Sequence, residues 1–385
     1  MQAKTHPKTL AFSFDGTGNE PADAEGFIKD ESISNVLKLH ILMGGSLEGS
    51  ASTSTPAGNP QHTFYYSGIG TRLKSRLVSL FNMMVAPRFG DARRILSAAR
   101  SDFLNAYERG DQVLVFGFSR GAALARKFVC QILEEDLSDE VTFLGVFDTV
   151  AALGGVHRKG ERVRTDVVFE NGSLHEGVQR AVHLLALDET RIPFTPTQIN
   201  KDQDNPERIL EAWFPGVHSD VGGGYWLDGL SDIALAFMIS ECQRALGTDV
   251  RIDAGTRESL QALLRNRGNA LPGIEVDDLL VHPMVHGALH SHSGLMVKVG
   301  KEAPRQVCVR IDDHPSSDPS DAPVVHHSVG ARFAQVSGYR PNALRGLRFR
   351  LLLPDGSVSD NPIDGIAGLL ENEPPAQNPS AMPMP

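Results

Sequence analysis

Cysteine is scarce in this chain, and positive charge is in deficit. Cys130, Cys242 and Cys308 stand far apart and are odd in number. Such spacing builds neither a disulfide framework nor a zinc site, so reduced, mostly buried thiols are expected. Lysine and arginine number 37 against 47 acidic residues, a net charge of −10. That excludes nucleic acid as the main partner, because a phosphate backbone requires a basic face, although a local basic patch for lipid headgroups stays compatible. Long apolar runs are missing as well. No window reaches the about 18 apolar residues that a membrane-spanning helix needs, so no transmembrane segment is expected. The opening MQAKTHPKTLAFSFDG has no apolar stretch followed by a small-residue cleavage site, and synthesis in the cytoplasm without a signal peptide is the expectation. No internal repeat and no metal-ligand spacing occur, and no metal or organic cofactor is expected.

What is present is an ordinary globular composition, 41% apolar and 22% charged over 385 residues. That suffices for one large α/β domain with insertions or for two modest domains. KTLAFSF (8–14), HTFYYSG (62–68), QVLVFGF, VTFLGVFD (141–148), AVHLLAL (181–187) and ERILEAWFPG (207–216) read as strands. Between them, Ser34–Met43, Asp91–Tyr107, the residues after Ser119 and Ser231–Ala245 carry helical spacing. Strands without polar alternation are buried on both faces, the habit of a parallel sheet flanked by helices. The expected architecture is an open, mostly parallel sheet with helices on both faces. Residues 43–61, rich in Gly, Ser, Thr and Pro, read as a flexible surface loop. Segments of about 150–180 and 250–330 read as cap or insertion segments, 1–345 as the catalytic domain, and 372–385 as a disordered tail.

The stretch VLVFGFSRGAALAR (113–126) carries the chemistry. A Gly-x-Ser-x-Gly turn between a buried strand and a helix is a nucleophile elbow. It lifts the Ser119 Oγ above the sheet edge and makes the N–H of Arg120 a candidate oxyanion donor. A serine needs a histidine base oriented by a carboxylate, in the chain order Ser, Asp or Glu, His. Asp148 ends its own apolar strand as Ser119 does. Among fourteen histidines, His218 follows both, in the glycine-rich WFPGVHSDVGGGY (213–225). Asp220 competes with Asp148 for the orienting role, His326 and His327 compete with His218, and His183 reads as a buried strand residue. FDGTGN places Gly16 and Thr17 on a tight loop at a strand end, a second oxyanion candidate. It lacks a Walker lysine and the GxGxxG spacing, which argues against a nucleotide. Arg120, Arg126 and Arg191 are most simply ion-pair residues, with Asp188 and Glu189 as candidate partners.

Taken in order, FSFDGTGN, GDQVLVFGFSRGAALAR, GVFDTV, ALDETRIPF and WFPGVHSDVGGGY resemble the type VI secretion phospholipase-effector family, over roughly residues 8–340. The resemblance implies an α/β-hydrolase fold and a Ser-Asp-His hydrolase of acyl esters, often membrane phospholipids, delivered into the periplasm of competing bacteria. It carries the nucleophile to Ser119, the base to His218 and the acid to Asp148, and implies secretion-machinery and immunity proteins as partners. Two other readings of the residues stand beside it: a cytosolic carboxylesterase for small soluble esters, and a non-catalytic α/β-hydrolase scaffold. Within the apolar run LLVHPMVHGAL (279–289), a shield for an acyl groove competes with ordinary core.

Overall fold

The computed structural model describes residues 7–16, 30–47, 49–68, 89–151, 172–267, 270–291 and 302–371. Its apolar runs pair into a ten-stranded sheet. The strands are β1 (Thr9–Phe14), β2 (Ser50–Ser54), β3 (Pro60–Tyr66), β4 (Gln112–Phe118), β5 (Phe143–Phe147), β6 (Ala181–Ala186), β7 (Ile209–Phe214), β8 (Val324–His326), β9 (Arg348–Leu352) and β10 (Ile363–Asp364). Their order is β10-β9-β8-β7-β6-β5-β4-β1-β3-β2. Every pairing is parallel except the two at the margins, β2 on β3 and β10 on β9. The mostly parallel architecture is therefore as the alternation of strands and helices indicates.

The unbroken apolar character of β4 has a direct cause. Successive side chains point to opposite faces. Val113 and Val115 enter one core, while Leu114, Phe116 and Phe118 enter the other. Helices α2 (Phe89–Ala106) and α3 (Ser119–Glu134) cover the first face. There the Phe128 ring of α3 lies 5.1 Å from Phe12 and 5.4 Å from Phe14. Burial of one such ring stabilises by about 1.5–3 kcal/mol and clamps α3 onto β1. Helices α1 (Asn35–Leu42), α4 (His218–Gly222) and α5 (Gly229–Leu246) lie toward the opposite face.

Three expectations change. Residues 43–61 are not wholly a loop: Ser50–Ser54 form an antiparallel margin strand paired with β3 from Ser50–Phe64 to Ser54–Pro60. A margin strand with alternately exposed side chains needs no apolar run, so serine and threonine suffice. Residues 250–280 do not stand off the sheet as a cap. Helices α6 (Arg257–Arg267) and α7 (Val276–Leu279) run through this stretch, and Leu260, Leu271, Ile274 and Leu279 complete the core shared with α1 and α5. Each short element fully buries only one apolar residue, Leu260 in α6 and Leu279 in α7, which leaves little periodicity to read. The sheet also continues past residue 345 through β9 and β10, with helices α8 (His327–Gln335) and α9 (Gly368–Glu371) packing a third apolar cluster around Trp213 and Phe349. Most of the 150–180 segment and the tail from 372 lie outside the described residues. No helix among the described residues is long and apolar enough to cross a membrane. Cys242 is buried and Cys130 and Cys308 are half-buried, all as free thiols.

Candidate active site

β1 has β3 on one side and β4 on the other, so the chain departs in opposite directions from the β1–β4 seam. The carboxyl ends of strands at such a reversal open a crevice. Asp15 and Ser119 immediately follow β1 and β4 at this edge. Ser119 takes a left-handed backbone, φ +56°, at a cost of about 1–3 kcal/mol for a residue other than glycine. The turn leaves no room beside it. A Cβ on Gly121 would lie 2.2 Å from the Asp15 carbonyl oxygen, and one on Gly117 would lie 2.6 Å from Ala122 Cα. These contacts explain why the serine stands between two glycines. Arg120 follows Ser119 in the first turn of α3, which places its N–H at the helix N-terminus.

Asp148 follows β5 and is also left-handed, φ +38°, and fully buried. Its Oδ2 lies 2.6 Å from His218 Nδ1. Its Oδ1 accepts from the Ala186 N–H at 3.0 Å. Arg305 donates to both oxygens, Nη1 to Oδ1 at 2.7 Å and Nη2 to Oδ2 at 2.9 Å. Burial pushes the carboxyl pKa up, but the Arg305 charge and the His218 hydrogen bond outweigh it and hold Asp148 well below the ordinary range. An ionised carboxylate only accepts, so His218 donates from Nδ1–H, and in the neutral ring Nε2 is then the nitrogen with the lone pair. Nε2 makes no hydrogen bond among the described residues, and Ser119 Oγ makes none to it. His218 and Ser119 are linked by packing instead. The His218 ring lies 4.7 Å from Phe118, the residue before Ser119, and 4.9 Å from Phe194 on its other side.

The loop that delivers His218 is braced from the end of β6. Asp188 accepts from the Gly216 N–H at 2.7 Å and from the Tyr339 hydroxyl at 2.9 Å. Burial raises its pKa to about 6 despite these bonds. Glu189 accepts from the His218 backbone N–H at 3.3 Å and pairs with Arg191 at 2.7 Å. Burial opposes its ionisation, yet the Arg191 bond and charge pull it down to about 2.

The other sequence candidates fall elsewhere. Asp220 does not touch His218; it accepts from the Val217 N–H at 3.0 Å and meets His290 Nδ1 at 2.5 Å. His326 is buried against Phe214, ring centroids 4.2 Å apart, with Nδ1 on the Ser328 hydroxyl, and the His327 ring lies tilted beside it. His183 is buried in β6, accepting from the Thr149 N–H through Nε2 while Nδ1 faces Glu211 at 2.8 Å. Gly16 differs from the oxyanion expectation, because its N–H is engaged by the Asp15 carboxylate at 2.6 Å. That carboxylate is itself anchored by the Ser34 and Tyr65 hydroxyls, so it stays at the strand end. Thr17 lies outside the described residues. Of the arginines, Arg191 pairs with Glu189 as expected, whereas Arg126 donates to the Thr197 carbonyl at 2.6 Å. Arg120 is buried, and desolvation lowers its pKa to about 10. Arg305 and Phe194 escaped sequence reasoning. Nothing in APRQVC or TRIPF distinguishes a site residue, and Arg305 reaches Asp148 across 157 positions. Among the described residues no group of three or more His, Cys, Asp or Glu side chains is arranged to hold a metal ion.

The family model for the catalytic domain of Tle1-like phospholipase effectors of type VI secretion matches residues 8–136 and 131–241, more than half of the chain. The chain belongs to this family. The matched span of the Tle1-like domain contains Ser119, Asp148 and His218, while Arg305 lies beyond it. The Tle1-like chain is similar to a Tle1 effector solved bound to the VgrG spike of a type 6 secretion system, at 25% identity, covering 58% of this chain and 52% of that one with a TM-score of 0.38. It is similar to an uncharacterised Pseudomonas aeruginosa protein at 20% identity, covering 67% and 49% with a TM-score of 0.41. A hormone-sensitive lipase from a metagenome library matches at 11% identity, covering 63% and 78% with a TM-score of 0.33. The match thus spans about half the length of the first two. No curated protein matches the chain. The Tle1-like domain is an α/β-hydrolase, with a strand–serine–helix elbow on a mostly parallel sheet.

Proposed function

We propose that this Tle1-like chain is a serine carboxylic-ester hydrolase, a phospholipase of A type acting as an antibacterial effector. The observation that carries the reading is the buried 2.6 Å Asp148–His218 contact, packed against the residue that precedes the left-handed Ser119. In the proposed reaction Ser119 Oγ attacks the ester carbonyl while His218 Nε2 takes its proton. Asp148 holds the ring in the required tautomer and stabilises the imidazolium as it forms. The Arg120 N–H, at the start of α3, donates to the developing oxyanion. His218 then returns the proton to the leaving alcohol, which departs as the acyl-enzyme forms. Water deprotonated by the same nitrogen releases the fatty acid and regenerates Ser119.

Membership of the family supports, as further parts of this reading, a phospholipid substrate, secretion-machinery and immunity partners, and delivery into a target-cell periplasm. A fluorophosphonate probe should label Ser119, and phospholipid vesicles should release fatty acid. A folded Ser119→Ala variant should lose labelling and at least about 10³-fold of the turnover. Labelling that persists in that variant sinks the assignment. Activity confined to short soluble esters, with none on vesicles, points to the carboxylesterase reading. Periplasmic expression in a sensitive bacterium should cause Ser119-dependent lysis, and cytoplasmic expression much less harm.

A further inference from the structure

Asp148 is over-furnished for an orienting acid. One backbone N–H and one imidazole N–H use half of its acceptor capacity, and a guanidinium takes the rest in a two-pronged contact. Arg305 is buried, and its Nη2 also donates to the Phe194 carbonyl at 2.7 Å. Phe194 is the residue whose ring edge packs on His218. One side chain therefore ties together the carboxylate and the wall that hold the imidazole.

We infer that Arg305 is a positioning residue of this site, which fixes the Asp148 carboxylate and the Phe194 wall and tunes the basicity of His218. The inference rests on the reading of Ser119, Asp148 and His218 as the reacting groups.

The physical argument is electrostatic as well as geometric. A lone buried carboxylate beside His218 would strongly favour the imidazolium and leave a base that gives up its proton reluctantly. A guanidinium on the far side of that carboxylate offsets part of that attraction. The fork also adds a second donor to each carboxylate oxygen and so stiffens a group already held by Ala186 and His218. The other charged groups around His218 are Glu189 on its backbone N–H, Arg191 paired with Glu189, and Asp220 on its own helix. None of these three touches Asp148 among the described residues, so Arg305 is the cation that acts through it.

The test compares wild type with Arg305→Met and Arg305→Lys, using the imidazole NMR titration of His218 together with kcat and KM on a short-chain ester. Arg305→Met should raise the His218 midpoint by about one unit and shift the acid limb of kcat/KM the same way. It should lower kcat by at least about tenfold with little change in KM. Arg305→Lys keeps the charge but not the fork, so its midpoint should stay near wild type while kcat remains reduced. If Arg305→Met does not fold, the lysine variant decides alone: a wild-type kcat with that single-pronged donor overturns the inference. A folded Arg305→Met with the wild-type midpoint and kcat overturns it too. The NMR midpoint needs no turnover. A His218 shift in a protein without Ser119-dependent hydrolysis would therefore uphold the coupling while the proposed function fails.

Discussion

His218 and His290 each meet an aspartate through Nδ1, at 2.6 Å and 2.5 Å, yet their charged surroundings are opposite. Behind the partner of His218 stands a cation, Arg305. At His290 a second carboxylate, Asp30, takes the remaining nitrogen at 2.9 Å, and Tyr225 stacks on the ring with centroids 3.7 Å apart. A histidine held between two carboxylates has no lone pair to offer, and both charges favour the protonated ring. Burial pulls the His290 pKa down, but the Asp220 bond and charge, with Asp30, outweigh it and raise it above 6.5. His183 is a third case, buried with both nitrogens occupied, by Glu211 and by the Thr149 N–H. The same carboxylate–histidine contact thus stands in three different settings, told apart by what the far nitrogen faces and what stands behind the acid.

The largest effect that sharpens this contrast is expected from the two aspartates. Asp148→Asn should lower kcat by about 10³–10⁴, because the amide favours the wrong tautomer of the base. Asp220→Asn should stay within about tenfold of wild type, acting through the Val217–His218 turn. Ester hydrolysis by both purified, folded variants measures the ratio, and a reversed order breaks the distinction drawn between the two pairs.

A smaller effect separates the pairs by the sign of their pH dependence. His290 has a raised folded pKa, so its stabilisation is complete below 6.5 and fades as pH rises through the folded value. Asp148 has a depressed one, so its contribution is present above 3.8 and is lost as pH falls through the folded value. Melting curves should find His290→Gln less stable than wild type by roughly 1–3 °C at pH 6, narrowing toward zero by pH 9. A constant difference across that range would mean that packing under Tyr225, not charge, is what His290 supplies. Asp30→Asn should do least, since the Asp30 side chain is about one-third exposed. Turnover should stay within about twofold and stability within about 1 kcal/mol. A severe loss of turnover would show that the His290 cluster reaches the chemistry after all.

The elbow was legible because its requirements are local. Van der Waals exclusion at Gly117 and Gly121 involves residues a few positions away or on the adjoining strand. Strand ends were legible for the same reason: VTFLGVFD stops at Asp148, and the run itself reports burial on both faces. The strand end favoured Asp148 over Asp220 in the sequence, but the contact itself was not legible there. Asp220 is nearer to His218 in sequence, but the first turn of α4 directs its carboxylate to the Val217 N–H and to His290. The Gly16 donor illustrates the reverse error. Its loop had the expected shape, but the preceding aspartate turns back and occupies its N–H. Serine- and threonine-rich β2 escaped notice because a margin strand draws on backbone pairing with β3 more than on side-chain burial.

By itself the sequence determined the class of fold, the elbow at Ser119, and a short roster of acids and bases at strand ends. These follow from turn sterics and from the two-sided burial of consecutive strands, which are properties of neighbouring residues. Tertiary structure alone decided which acid meets which base, that Arg305 closes on Asp148 from 157 residues away, and that Phe118 and Phe194 wall the imidazole. Such pairings depend on how loops from β5, β6 and β7 converge at one sheet edge. Hydrogen bonds and charge contacts act over a few ångströms in space, and separation along the chain carries no trace of them.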